Sequence, residues 1–344
     1  MDEPPTTQTD GTVAEGLSND SNNGQEVVDS DEEVFFDAID ETYTVVYEET
    51  ETVDVETNAA EDGQVGAASN EEGNVNEDDG NEEMGDESSF TKISDLIVKC
   101  KEHLDDWQKR VSNGVFLENE KHPAVQQLYH VLNNNKPVAF NRAIAVSLWA
   151  SGVVTNLVYI VKEEQKIADN ELVSRALFFL GWLANFQGRS CVQTLVDKHL
   201  LVEAILDCLS VVDTTSLTVV EQGLFALTAL TRKDSRVVLQ KVVGNVDYTG
   251  GGIAVITKSM KQNPESMVVA SYGCRLLSRL AKNTGYHKRL LGDGACSAIV
   301  RSQNRAHGCP PHEANLAAAV NGHAKMFSDL ILEHRKHGSS TNDC

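Results

Sequence analysis

The sequence predicts an all-α fold: a stack of helical repeats over residues 89–338, preceded by a disordered acidic tail at 1–88 and closed by a disordered end at 339–344. Three observations carry this expectation. Charge divides the chain into two unlike polymers. Apolar residues recur at helical spacing from Phe90 onward. One pattern of leucines, turns and short helices then returns at a period of about 50 residues.

The charge division is sharp. The chain of 344 residues holds 52 acidic and 29 basic side chains, a formal net charge of −23. Residues 1–91 contain 29 Asp and Glu and no Lys or Arg, and the first base is Lys92. The remainder carries 23 acids and 29 bases, so it is about +6. The tail is rich in Gly, Asn, Ser, Thr and Glu, and long stretches lack apolar residues. Such a segment cannot bury enough apolar surface to offset the entropy of ordering its backbone.

The start, MDEPPTTQTD, has neither the apolar core of a secretory signal nor the arginines of a transit peptide, and no apolar run has the length of a membrane span. The seven cysteines, at 100, 191, 208, 274, 296, 309 and 344, are scattered and form no C-x-x-C pair. Free or buried thiols in a reducing compartment follow, and with them a cytoplasmic location without direct membrane insertion.

Each element of the stack is readable in turn. FTKISDLIVKCKEHLDDWQKRV (90–111) has the spacing of an amphipathic helix and follows Ser88-Ser89. Three long stretches then superimpose: 176–209, 223–260 and 273–300. In each, a helix ends on a leucine (Leu183, Leu230, Leu280), and these anchors lie 47 and 50 residues apart. A short second helix follows (VQTLV, RVVLQKVV, HKRLL), then a break at Asp197-Lys198-His199, Gly250-Gly251-Gly252 or Gly292-Asp293-Gly294. A closing helix completes the unit: LVEAILDCL, IAVITKSM or ACSAIV. Residues 125–161 fit the same scheme, with Leu132 as anchor, a turn at Ala150-Ser151-Gly152, and Leu157, Ile160 and Val161 in the closing helix. The end, HEANLAAAVNGHAKMFSDLILEHRKHG, supplies the start of a fifth unit. No single unit buries its apolar face alone, so neighbours must stack.

These stretches resemble the armadillo repeat family over residues 125–338, most closely in GGIAVITKSMKQNPESMVVASYGCRLLSRLAKN (251–283). The resemblance implies a right-handed helical solenoid that binds protein partners along a groove; HEAT-like packing is the alternative. In the family's nuclear-import adaptors that groove carries a ladder of Asn and Trp. Here the Asn-equivalent positions hold Val131, Trp182, Ala229 and Arg279, and the Trp-equivalent positions hold Gln127, Phe178, Phe225 and Arg275. The ladder is missing, so reading basic import signals is not expected. Phe178, Trp182, Phe225, Arg275 and Arg279 are the candidate groove residues. Arg232, Arg275 and Arg279 are a candidate basic stripe for an acidic partner, with a solvated helix face as the competing reading.

Within the tail lies DSDEEVFFDAIDE (29–41). Adjacent phenylalanines in a segment without a core suggest anchors for a partner's pocket. The segment resembles the FFAT motif, which binds the VAP family of endoplasmic-reticulum receptors. Phe35, Phe36, Asp37 and Ala38 match that motif, Ile39 falls at its free position, and Asp40 stands where the usual residue is Glu. Val34 departs from it at the first position. Asp29, Asp31, Glu32 and Glu33 form the acidic flank, and Ser30 is a candidate phosphosite that would add to its charge. Acids speed encounter with a basic surface, and the rings supply buried area.

No catalytic constellation, cofactor or metal is expected. Thr249-Gly250-Gly251-Gly252 lacks the Lys-Ser/Thr of a phosphate loop, and His307, Cys309 and His312 lack a fourth zinc ligand. The acidic tail disfavours nucleic acid. The expected function is that of a non-enzymatic adaptor, its repeats binding a protein client and its tail recruiting it to the endoplasmic-reticulum surface. The alternative is a soluble cytosolic scaffold or Hsp70 co-chaperone-like protein whose tail solubilises or autoinhibits.

Overall fold

The computed structural model describes residues 87–115, 120–134, 137–163, 169–211, 216–232, 236–244 and 251–338, all within one compact unit. Among the described residues there are fourteen α-helices, two 3-10 helices and no strand. The chain is all-α. The FFAT-like segment, with Asp29, Ser30, Asp31, Glu32, Glu33, Phe35, Phe36, Asp37, Ala38 and Asp40, lies outside the described residues.

Helix α1 spans Glu87–Ser112. Its buried residues Ile93, Ile97, Cys100, Leu104, Trp107 and Val111 alternate steps of four and three, which puts them on one stripe. Helices α2 (Pro123–Asn133), α3 (Val138–Ala150) and α4 (Val153–Lys162) follow and all pack against it. Then come α5 (Asn170–Phe186), α6 (Arg189–Asp197) and α7 (Leu201–Ser210), and next α8 (Leu217–Thr231), α9 (Arg236–Gly244) and α10 (Gly251–Gln262). The last are α11 (Met267–Ala281), α12 (His287–Gly292), α13 (Ala295–His307) and α14 (Ala314–Gly338). Short 3-10 helices at Thr284–Tyr286 and Pro311–Glu313 precede α12 and α14.

The three superimposed stretches thus each form a long helix, a short one and a closing one. Contacts between them run in two rows. In one row α5 packs on α8, α8 on α11 and α11 on α14. In the other α4 packs on α7, α7 on α10 and α10 on α13. The closing helices α7 and α10 also pack on the long helices α8 and α11 that follow them. Burial agrees with this double demand: Val219, Val220, Leu224, Leu227 and Leu230 of α8 are all inaccessible to solvent.

Two local devices recur with the helices. The long helices begin on a side-chain cap: Asp169, Ser216 and Ser266 accept from the backbone N–H of Leu172, Val219 and Val269 at 3.0, 3.4 and 3.1 Å. The closing helices are entered through a left-handed residue, at Gly152 (φ 76°), Leu200 (φ 52°), Gly251 (φ 73°) and Gly294 (φ 81°). Leu200 is the one non-glycine among them, and among the described residues it is the only non-glycine with positive φ.

The structure differs from expectation at one place. The second helix of the first unit, α3, has 13 residues, longer than α6, α9 or α12. The final segment is one helix of 25 residues that packs on both α11 and α13. Among the described residues no single helix is long and apolar enough to cross a membrane.

Candidate functional site

The expected groove residues sit where the long helices meet. Close approach of α5 and α8 depends on Gly181, where an added Cβ would stand 2.9 Å from the Ala226 Cα and 2.7 Å from the Phe225 ring. Along this seam the aromatic rings form a file. Tyr129 on α2 meets Phe178 on α5 (centroids 4.8 Å), Phe178 meets Phe225 on α8 (6.0 Å), and Phe225 meets Tyr272 on α11 (5.6 Å). Phe178 and Trp182 are buried and Phe225 is half-buried. Trp182 lies against Phe186. These rings pack helix on helix.

The expected basic stripe is not an open face. Arg275 is buried, and its place against Phe225 is taken by Tyr272, one turn earlier on α11. Arg279 reaches back to α8, donating to the Thr228 carbonyl at 2.6 Å and the Thr231 hydroxyl at 3.1 Å. A cation at the end of α8 satisfies terminal carbonyls and complements the helix dipole. Arg232 is half-buried beside the same turn. The α8–α11 seam also holds Glu221, which is buried and accepts from the Ser266 hydroxyl at 2.7 Å. Burial pushes the Glu221 carboxyl above the usual carboxylate range, and the Ser266 bond offsets this only in part.

A different arrangement lies at the N-terminal end, where α1 meets the start of α2 and the start of α5. His103 and Arg110 project from α1, two turns apart. Glu120 and His122 precede Pro123, the first residue of α2, and Asp169 caps α5. His103 Nε2 lies 2.8 Å from His122 Nδ1, and His122 Nε2 lies 3.4 Å from Asp169 Oδ2. A carboxylate only accepts, so the His122 proton belongs on Nε2, and Nδ1 is left to accept from His103. Trp107 stands edge-on to His122 and to Tyr159 of α4. Arg110 grips both oxygens of Glu120 and reaches Asp106 through Nε at 3.0 Å. Nearby, buried Asn156 of α4 donates to Asp105 at 3.0 Å and Gln108 at 2.9 Å on α1.

This junction is electrostatically tense. Burial, and then the neighbouring His122, hold His103 below the ordinary histidine value. Burial would raise the Asp169 carboxyl, but hydrogen bonds from His122 and from the Leu172 N–H outweigh it and leave it lowered. Among the described residues, the ligand atoms of His103, Glu120 and His122 form a group within 4.8 Å of one another, and His307, Cys309 and His312 form no such group. Sequence reasoning passed over His103, Glu120 and His122. The only local signal was Glu-x-His ahead of a proline-started helix, with its partner 19 residues upstream.

No family model, no curated protein and no solved structure matches this chain.

Proposed function

We propose that this chain is a non-enzymatic adaptor: an armadillo-type solenoid that binds a protein client, joined to an acidic segment that recruits it to VAP-type receptors on the endoplasmic reticulum. The observation that carries the scaffold reading is the pair of helix rows. Long helices pack on long helices and closing helices on closing helices, at sequence steps of 47 and 50 residues between leucine anchors. The recurring caps and left-handed entries support the same reading, because they fall at equivalent positions of successive units. Three buried hydroxyls serve their own helices: Thr228, Thr231 and Ser259 donate to carbonyls one turn back.

The tether reading rests on Phe35-Phe36-Asp37-Ala38 behind the flank Asp29, Asp31, Glu32 and Glu33. Two rings offer the apolar area that makes a hot spot, and the acids offer salt-dependent encounter with a basic receptor face. The test is capture of the full chain by an immobilised VAP cytosolic domain. Wild type is expected to be retained, and Phe36→Ala to fall at least tenfold. Equal recovery of the two would leave a scaffold without a tether.

A further inference from the structure

We propose that His103, His122 and Glu120 form a binding site for a divalent transition metal of the zinc class, which clamps α1 onto the starts of α2 and α5. Two imidazoles and one carboxylate are the donor set that zinc accepts with a water completing the tetrahedron. Calcium and magnesium demand all-oxygen shells, and copper(I) prefers sulfur, so the donors select among cations.

The geometry is close to what such an ion needs. Ligands on a tetrahedral zinc with bonds of about 2.0 Å lie about 3.3 Å apart. The two ring nitrogens are 2.8 Å apart, and all three ligand atoms fall within 4.8 Å. The rings need to part by roughly half an ångström, and Glu120 to swing inward, for all three to reach one ion. His122 points Nδ1 into this group because Asp169 stands behind its Nε2 at 3.4 Å. A carboxylate behind a ligating histidine fixes the ring and raises its basicity, which is the outer-shell arrangement that metal sites use. His122 is itself buried, so its orientation is not set by solvent.

Release of Glu120 has a built-in compensation. Arg110 holds Glu120 through its two terminal nitrogens and Asp106 through Nε. When Glu120 turns to the ion, the guanidinium keeps Asp106, and no cation is left without a counter-charge. The ligands come from two segments, at 103 and 120–122, and the outer carboxylate comes from a third, at 169. Binding energy would therefore appear as stability of this end of the stack.

The experiment titrates the chelator-treated full chain with Co²⁺ and then displaces it with Zn²⁺, following visible absorption and thermal unfolding. The expected result is one saturable equivalent with tetrahedral nitrogen and oxygen ligand-field bands, and a higher midpoint of unfolding with Zn²⁺. His103→Asn and Glu120→Gln are each expected to weaken binding at least tenfold. Asp169→Asn is expected to weaken it roughly ten- to a hundredfold, as outer-shell changes do. The double variant His307→Asn/His312→Asn should bind as wild type does. Far-UV circular dichroism checks that each variant is folded; should His103→Asn unfold, Glu120→Gln, in a half-buried loop residue, decides. The proposal is overturned by absence of saturable uptake, by thiolate-to-cobalt charge-transfer bands, or by a folded Glu120→Gln that binds as wild type.

Discussion

The α5–α8 seam and the α1–α2–α5 junction both hold helices together, but only the second adds a network of charged and polar side chains to its apolar packing. At the seam Gly181 lets two backbones approach, and Phe178 stacks on Phe225 beside it. At the junction the apolar stripe of α1 is joined by a polar network: His103 to His122, His122 to Asp169, Arg110 to Glu120 and, from α4, Asn156 to Asp105 and Gln108. Apolar contact is non-directional and propagates along a stack, whereas a polar network has a fixed number of members and stops.

The largest expected effect breaks the seam. Gly181→Val places methyl groups where even a Cβ lies 2.9 Å from the Ala226 backbone, and α5 cannot withdraw without losing the rings it stacks on. Overpacking of this kind costs about 3 kcal/mol or more, measured as a lower urea midpoint for the whole domain. A smaller effect is expected at the junction. Asn156→Ala removes two side-chain bonds to α1, but Lys101 still pairs with Asp105 and solvent reaches Gln108. The loss should be about 1–2 kcal/mol. It should show as faster amide exchange in α1 with little change in α8 and α11, since a polar end opens locally. Uniform acceleration across all three helices would mean that the junction and the seams unfold as one.

The smallest effect sharpens the contrast from inside the apolar rows. Glu221 has its carboxyl raised by burial, so the folded form holds its proton to higher pH than the unfolded form does. Its contribution to stability is fully present below the unfolded value and is lost as pH rises through the folded one. Glu221→Gln keeps an acceptor for Ser266 and cannot ionise. The variant should match wild type in acid and become the more stable of the two toward neutral pH, read by thermal melts across that range.

Much of the fold was legible because helical spacing and leucine anchors are local signals. The stripe from Ile93 to Val111 and the leucines at 183, 230 and 280 all fall in helices. The surroundings of the candidate groove residues were less legible, for a reason visible in the steps of 47 and 50 residues. Three extra residues are nearly one helical turn, so the leucine faces still align while the neighbouring side chains shift by a turn. Aligned on leucines, Arg275 falls opposite Phe225; in space Tyr272, 47 residues on, meets that ring. Burial of Phe178 and Arg275 is likewise a property of the adjacent helix, which no single repeat encodes. The His103, Glu120 and His122 group was invisible for the same reason. It forms only where Glu120 and His122 come to lie against α1, and no spacing rule links 103 to 122.

Leu200 has a further consequence. Its three counterparts are glycines, which adopt that backbone at no steric cost, while a leucine there carries about 1–2 kcal/mol of strain. Its side chain is largely exposed, so packing gives little in return. What recurs along this chain is thus a path of the backbone and not a residue. The corner before α7 is the one place where the two have come apart.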